Sequence, residues 1–468
     1  MFDLAKDEIT EGSIPRALLV LAAPLVAQNF ALVAQQVVDI FWVGRLGEEA
    51  VAAVGLVIPY TALLMVPLIM LFVGSQILTA QRVGAEDIVG ARRVPFNAIA
   101  LALPIALVLI GVVVVFGEEL VGLLNPSAAV APLALTYLTA HAVYALVPSA
   151  LSDTLESGFT AWGDTRTALV INLVAIVVNL VLDPFLILGY WEFPAMGLEG
   201  AALATGIGYA VGALVALWYM TRDSNEFTLT RESISLQPDL FRDLVEVGSP
   251  IAVQESGRQF ARLLMVAVVS LAGGAAGLAA YTIGARVATI AFVPASGIGQ
   301  AATSVIGQNL GADQPERAQH ATWFGVGLAV IGLSAIGVVQ YLFPAAIAQL
   351  FVPDISGAAL ESTVLYLQIL VFGYWALGGI KTLEAGFNGA SRTNVSMWST
   401  VVQYWVVRLP IAAGGAFLLG RGVEAAFWAV TLSNVAAAVW LGVYYWYSTR
   451  AGMLERAAEQ ASGAPAAD

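Results

Sequence analysis

The sequence predicts an all-α polytopic membrane protein, with twelve transmembrane helices in two six-helix lobes related by a parallel internal repeat. Three observations carry this prediction. Of 468 residues, 59% are hydrophobic and only 11% are charged, whereas ordinary globular chains carry about 25% charge. The apolar residues come in blocks long enough to cross a hydrocarbon core about 30 Å thick, which takes roughly 20 helical residues. Helices suit such blocks because they satisfy their backbone polar groups within one segment. The third observation is that features of the first half recur in the second at a nearly constant offset.

Taken in order, residues 1–14 are polar and acidic and form a cytoplasmic N-terminus. No cleavable leader is expected, because the first apolar block is too long for a signal-peptide core. Spans 1 to 6 lie near 15–43, 50–80, 92–116, 129–161, 165–190 and 197–221, making an N-lobe over 15–221. The longest polar stretch between spans begins at 222, and 222–240 reads as a cytoplasmic linker. Spans 7 to 12 lie near 241–271, 276–307, 317–343, 357–389, 393–419 and 424–448, making a C-lobe over 241–448. Residues 449–468, ending in EQASGAPAAD, read as a disordered tail.

Orientation follows from the basic residues. With both termini inside, the inner segments hold Lys6, Arg16, Arg82, Arg92, Arg93, Arg166, Arg222, Arg231, Arg242, Arg317, Arg392, Arg450 and Arg456, and the outer loops hold only Arg45 and Arg421. That asymmetry fits the positive-inside rule for a multi-pass protein of the cell membrane.

The repeat is carried by Pro24 in LAAPLVAQ and Pro250 in VGSPIAVQ, by QRVGAED (81–87) and QNLGADQ (308–314), by LESGFTAWGDTR (155–166) and LEAGFNGASRTN (383–394), and by GLEGAA (197–202) and GVEAAF (422–427). An even number of helices per half gives both halves the same orientation, with a pseudo-twofold axis along the membrane normal and a cleft between the lobes.

Composition excludes several chemistries. Cysteine is absent, so there is no disulfide, thiolate metal site or cysteine nucleophile. His141 and His320 lie too far apart in sequence to build a zinc-type cluster. No metal other than a coupling ion, no cofactor and no nucleic-acid partner is expected. The net charge of −13, with Lys6 and Lys381 the only lysines, gives an acidic surface suited to high salt, where repulsion is screened. This composition suggests a halophilic source.

Chemistry concentrates in the N-lobe. Asp39 and Asp183 sit deep in apolar spans, where an ionisable residue defaults to an ion path, a proton relay or a substrate partner. Gln28, Leu32, Gln35 and Asp39 follow 4-3-4 spacing and share one face of span 1, above the bend permitted by Pro24. Asn179 and Asp183 are i and i+4 on span 5, just before Pro184. Thr205 is the hydroxyl of a small-residue stretch in span 6 that permits close helix contact. The repeat carries Asp39 onto Val266 and Asp183 onto Leu409, beside Arg408, so the acidic pair belongs to one lobe. Arg258, Arg262, Arg286, Lys381 and Arg408 lie in C-lobe spans, where ion pairs with Glu255 or Glu384 are expected for some. Glu255 itself, beside Gln254 and Gln259, is a secondary candidate for the cleft. Asp153 and Glu156 share a face of span 4.

EGSIPRALLVLAAPLVAQN, VVDIFWVGRLG, VGAEDIVGARR and NLVLDPFLILG followed by GLEGAALAT together resemble the multidrug and toxic compound extrusion (MATE) transporters, especially their archaeal and DinF-like branch. The resemblance covers essentially the whole chain. It implies efflux of organic cations or amphipathic drugs in exchange for H+ or Na+, with the family's N-lobe cation site on Asp39, Asn179, Asp183 and Thr205, and a tyrosine of span 4 at Tyr137. A further branch places acids in the second lobe, and only Glu255 matches it. Glu156 stands where related sequences carry an amide.

Two carboxylates in one low-dielectric pocket do not both stay ionised without a counter-cation. An entering H+ or Na+ removes the repulsion and an organic cation competes for it, which couples the two fluxes if the two loaded states prefer different conformations. Small-molecule substrates, membrane lipids and a monomeric state are therefore expected. The alternative is a lipid-linked oligosaccharide flippase, whose pyrophosphate would suit the C-lobe arginines. A membrane-embedded enzyme built on Asp153 and Glu156 lacks a nucleophile, a ligand set or a phosphate loop.

Overall fold

The computed structural model describes residues 6–222, 226–353 and 355–462. Among these residues every regular element is helical. Ten helices are long and apolar enough to cross a membrane, and Gly357–Val371 with Tyr374–Gly389, bent by 48° at a short break, makes another span. One of the ten, Pro238–Gly311, runs for 74 residues. Unbroken, it would measure about 110 Å at 1.5 Å per residue. It breaks at Gly274, with φ 54° and ψ −151°, a conformation open to glycine. That break separates spans 7 and 8, so the chain makes twelve crossings in two six-helix lobes.

The helices of spans 1 to 3 outrun the apolar windows, that of span 4 matches its window in length, and those of spans 5 and 6 fall slightly short. Span 1 is Ile14–Gly44, span 2 Glu48–Gly84, span 3 Ile88–Gly122, span 4 Val130–Trp162, span 5 Thr165–Leu188 and span 6 Leu198–Met220. Polar caps explain some of the starts. Asp87 and Asp164 accept from the backbone N–H groups of Gly90 and Thr167, each at 2.9 Å, at the N-termini of spans 3 and 5. Span 11 is α-helical from Thr393 and widens into π-helix over Val401–Arg408 and again over Gly414–Leu418.

The internal repeat is written in the backbone as well as in the sequence. Left-handed φ angles occur at Gly47 and Gly274, at Glu86 and Asp313, at Gly163 and Ser391, and at Gly197 and Gly422. Each pair stands at the offset found from sequence. The same turns therefore join corresponding helices in the two halves, and two of the eight positions tolerate an acidic residue where glycine is the easier choice.

Two compact units emerge, and their limits differ from the expected lobe boundaries. Among the described residues, one gathers Lys6 with those of Ala27–Ala252, the other Asp7–Val26 with those from Val253 to Ser462. The divisions thus fall just beyond Pro24 and Pro250 rather than in the 222–240 linker. In the second unit, Arg317 holds the start of the chain, donating to Asn309 Oδ1 at 3.0 Å and to the carbonyls of Ile9 at 3.2 Å and Gly12 at 2.8 Å.

The expected disordered tail needs correction over part of its length. Met453–Ser462 is a helix whose Met453, Leu454, Ala457 and Ala458 are buried. Their i, i+1, i+4, i+5 spacing makes one apolar stripe, and burying that stripe orders the segment. Residues 463–468 lie outside the described residues.

Candidate functional site

In the first unit, spans 1, 4, 5 and 6 bring the predicted N-lobe residues together. Span 6 approaches closely because its glycines leave room. A Cβ on Gly208 would stand 2.6 Å from the carbonyl oxygen of Ala175 and 3.3 Å from Asn179 Cβ, and one on Gly206 would meet the backbone of Tyr144. This intimacy sets Thr205 against span 5.

Asn179 is the hub. It and Asp183 are each 1% exposed. Asn179 Nδ2 donates to Asp183 Oδ1 at 3.3 Å and to Thr205 Oγ1 at 3.4 Å, and Gln35 Nε2 donates to Asn179 Oδ1 at 2.7 Å. With its amide turned over, Asn179 instead donates to Asp39 at 3.1 Å and accepts from Thr205 N at 3.2 Å. The two orientations of this amide thus reach Asp183 in one and Asp39 in the other, with Thr205 a partner in both. Asp39 and Asp183 meet each other within hydrogen-bonding reach, a contact that needs a proton or cation between them. Asp183 Oδ2 finds no protein donor. Tyr137 lies within electrostatic range of both carboxyls and packs on His141, ring centroids 6.0 Å apart.

A second cluster lies along the same helices. Gln28 Nε2 donates to Glu156 Oε1 at 2.5 Å, and Asn172 Nδ2 donates to Glu156 Oε2 at 3.3 Å. Asp153 lies within electrostatic range of Glu156, and Tyr209 within range of Asp153, Glu156 and Asp39. Sequence reasoning passed over Asn172 and Tyr209. Asn172 had a signal: it precedes Asn179 by the seven residues that return a side chain to the same helix face.

Glu255 belongs to a different setting, in the second unit. It is paired with Arg258 at 2.9 Å, while Glu384 receives Lys381 Nζ and Gln254 Nε2, each at 2.8 Å. Its carboxylate is already neutralised, unlike the Asp39–Asp183 pair. Arg408 is 6% exposed and has no carboxylate partner among the described residues. It is held by Ser433 Oγ at 2.8 Å, Asn434 Oδ1 at 2.7 Å and the face of Tyr404, 4.0 Å from the ring centroid. Tyr404 sits within electrostatic range of Arg408, Arg258, Arg262 and Lys381.

Known proteins share this architecture. The profile of the MatE family matches residues 24–185 and 250–413. A probable multidrug resistance protein NorM of Burkholderia pseudomallei is 30% identical over 434 residues, covering 89% of each chain. A counterpart from Thermotoga maritima is 26% identical over 414 residues, covering 87% of each chain. An FAD transporter of Shewanella oneidensis is 25% identical over 437 residues, covering 91% of this chain and 93% of its own. Among solved structures, an outward-facing multidrug resistance MATE transporter of the MOP superfamily matches with TM-score 0.87 at 22% identity, covering 97% of this chain and 99% of its own. A MOP superfamily transporter from Pyrococcus furiosus, described as having a binding pocket of reverse polarity, matches with TM-score 0.88 at the same identity and coverage.

Proposed function

Because the chain belongs to the MatE family, we propose that it is a cation-coupled antiporter exporting cationic or amphipathic small molecules in exchange for H+ or Na+. It is a multi-pass membrane transporter and not an enzyme. The observation that carries the coupling is the contact of Asp39 with Asp183, with Asn179 placed to donate to either carboxyl and Thr205 beside it. Oxygen ligands of this kind suit hard cations. A proton or sodium ion relieves the carboxylate repulsion, and a cationic cargo presents the same charge to the same groups. The positive-inside count supports insertion in the cell membrane with both termini cytoplasmic. The protein works as a monomer among membrane lipids, and the ion is its only requirement besides cargo.

The test uses energised vesicles loaded to take up a fluorescent organic cation, with the pH gradient and the Na+ gradient imposed separately. Accumulation that follows one gradient and vanishes with Asp39→Asn supports the proposal. Uptake indifferent to both gradients would overturn it.

The cations of the second unit favour a second class of cargo. Arg408 without a carboxylate, together with Arg258, Arg262 and Lys381 around Tyr404, suits an anionic group. Similarity to an FAD transporter points the same way, and a pyrophosphate-linked lipid would offer similar chemistry. Transport of flavin adenine dinucleotide that is lost in Arg262→Gln, with the organic cation still exported, would favour this cargo. The reverse outcome would exclude it.

A further inference from the structure

The N-lobe cluster around Glu156 repeats the composition of the Asp39–Asp183 site one tier along the same helices. Gln28 and Gln35 are seven residues apart on span 1, and Asn172 and Asn179 are seven apart on span 5. At 1.5 Å per residue, each pair is separated by about 10 Å along its axis. Spans 1 and 5 run in the same direction, so each tier takes one glutamine from span 1 and one asparagine from span 5. Span 4 runs the other way. Its Glu156 joins the Gln28–Asn172 tier, and Asp153 stands about one turn nearer the other. Tyr209, within electrostatic range of Asp153, Glu156 and Asp39, links the two levels.

The lower tier has acceptors to spare. Gln28 is 5% exposed and Asn172 6% exposed. Each spends its amide nitrogen on a different oxygen of Glu156. The remaining amide oxygens, Gln28 Oε1 and Asn172 Oδ1, are buried with no hydrogen-bond donor. Buried acceptors left without a partner are costly, and these two belong to groups that already touch a carboxylate. A proton on Glu156 could serve only one of them. A metal cation accepts lone pairs from several oxygens at once, and the amides need only turn over to present theirs. Among the described residues no third His, Cys, Asp or Glu completes a cluster suited to a transition or divalent metal. One carboxylate in contact, a second in range and neutral amide oxygens fit a hard monovalent ion.

We propose that Glu156, Gln28 and Asn172, with Asp153 beside them, form a second sodium-binding site in the first lobe, one tier away from Asp39 and Asp183. It is a separate site, and it gives the transporter two cation stations along one helix bundle. If both load in a cycle, the second charge squares the cargo gradient that the membrane potential sustains.

The experiment measures binding of radioactive sodium to purified full-length protein at fixed pH, with choline replacing sodium as the ionic-strength control. Wild type, Glu156→Gln and Asp39→Asn are compared. The expected result is a sodium-binding component that Glu156→Gln removes and Asp39→Asn spares. Gln28→Met, which keeps length but deletes the amide, should weaken that component about tenfold, and it carries the test should Glu156→Gln fail to elute as a folded monomer. Sodium binding by Glu156→Gln or Gln28→Met equal to wild type would overturn the proposal, as would no sodium binding by wild type. If Asp39→Asn abolishes coupled efflux while the Glu156 variant binds sodium normally, only the second site falls. If both variants transport as wild type, the coupling role of Asp39 falls too.

Discussion

Replacing Asp183 by asparagine keeps the shape of the side chain and removes its charge. Asp183 is almost fully buried, meets Asp39, and has one oxygen with no donor. With both carboxylates charged at a separation of about 4 Å, Coulomb repulsion at an effective dielectric of 20 is about 4 kcal/mol. A bound cation relieves that repulsion, which corresponds to roughly a thousandfold in its affinity. In Asp183→Asn the repulsion is already gone, and the new amide donates to Asp39 where the cation would have stood. Cation affinity at the pair should therefore drop by about that thousandfold. The assay is organic-cation accumulation in proteoliposomes under an imposed gradient, where each coupled charge supports roughly fiftyfold accumulation per 100 mV. Asp183→Asn should bring that ratio close to one. Asp39→Asn should do the same, and the double variant should be little worse, because groups acting on one bound ion are not additive. Val266→Asn, at the repeat-equivalent of Asp39 and 41% exposed, should leave accumulation near wild type. Retained cation-driven accumulation in Asp183→Asn, or two partial losses that add in the double variant, would refute the shared-ion account.

Cysteine labels at 232 and 455 should react only from the cytoplasmic side and labels at 118 and 420 only from outside; finding 232 and 118 on one face would contradict the orientation. Gly206→Val should lower the midpoint of thermal unfolding and weaken coupling, because its Cβ meets the backbone of Tyr144 and overpacking costs about 1–3 kcal/mol. Gly327→Ala, with open space around its Cβ, is the control, and equal behaviour of the two would discount the close-packing argument. Arg317→Gln removes charge-assisted bonds to Ile9, Gly12 and Asn309, each worth about 1.5–3 kcal/mol. It should expose residues 6–12 to limited proteolysis, and an unchanged cleavage pattern would show that other contacts hold this segment.

The twelve crossings and the repeat were readable in the sequence because each depends on spacing along one helix or on recurrence along the chain, whereas the N-lobe quartet, spread over three helices, was assembled as a set only by the family resemblance. Asn179 and Asp183 share a face whatever surrounds them, and a carboxylate inside an apolar span announces itself. What meets what between helices is a matter of packing. Nothing in the spacing of Glu255 shows that Arg258 neutralises it, since an acid and a base three apart on a helix point close together yet each has rotamers that face elsewhere. Likewise the contact of Gln28 with Glu156, 128 residues away, follows from how spans 1 and 4 meet. The helix at Met453–Ser462 was hidden by its composition, because alanine and glutamate look like tail residues until the four-residue apolar stripe finds a surface. The break of the compact units beyond Pro24 and Pro250 was hidden for a related reason: a proline permits a bend, but contacts decide which side each half joins.

The bonds that hold the start of the chain reach far ahead in the order of synthesis. Asn309 is 300 residues beyond Ile9, to which it donates, and Arg317 lies 308 beyond it. At about 5–20 residues per second, a nascent chain needs roughly 15–60 s to make that distance. For that interval the segment from Asp7 to Val26 is in the cell without the unit it will belong to. The bonds to Asn309 and Arg317 form only once spans 7 and 8 and the start of span 9 have been made. The first residues made thus wait for partners in the second half of the chain. A truncated product lacking the second repeat would keep span 1 joined to spans 4 and 5 through Gln28 and Gln35, while its segment from Asp7 to Val26 would lack the unit it belongs to and stand open to the quality-control machinery of the membrane.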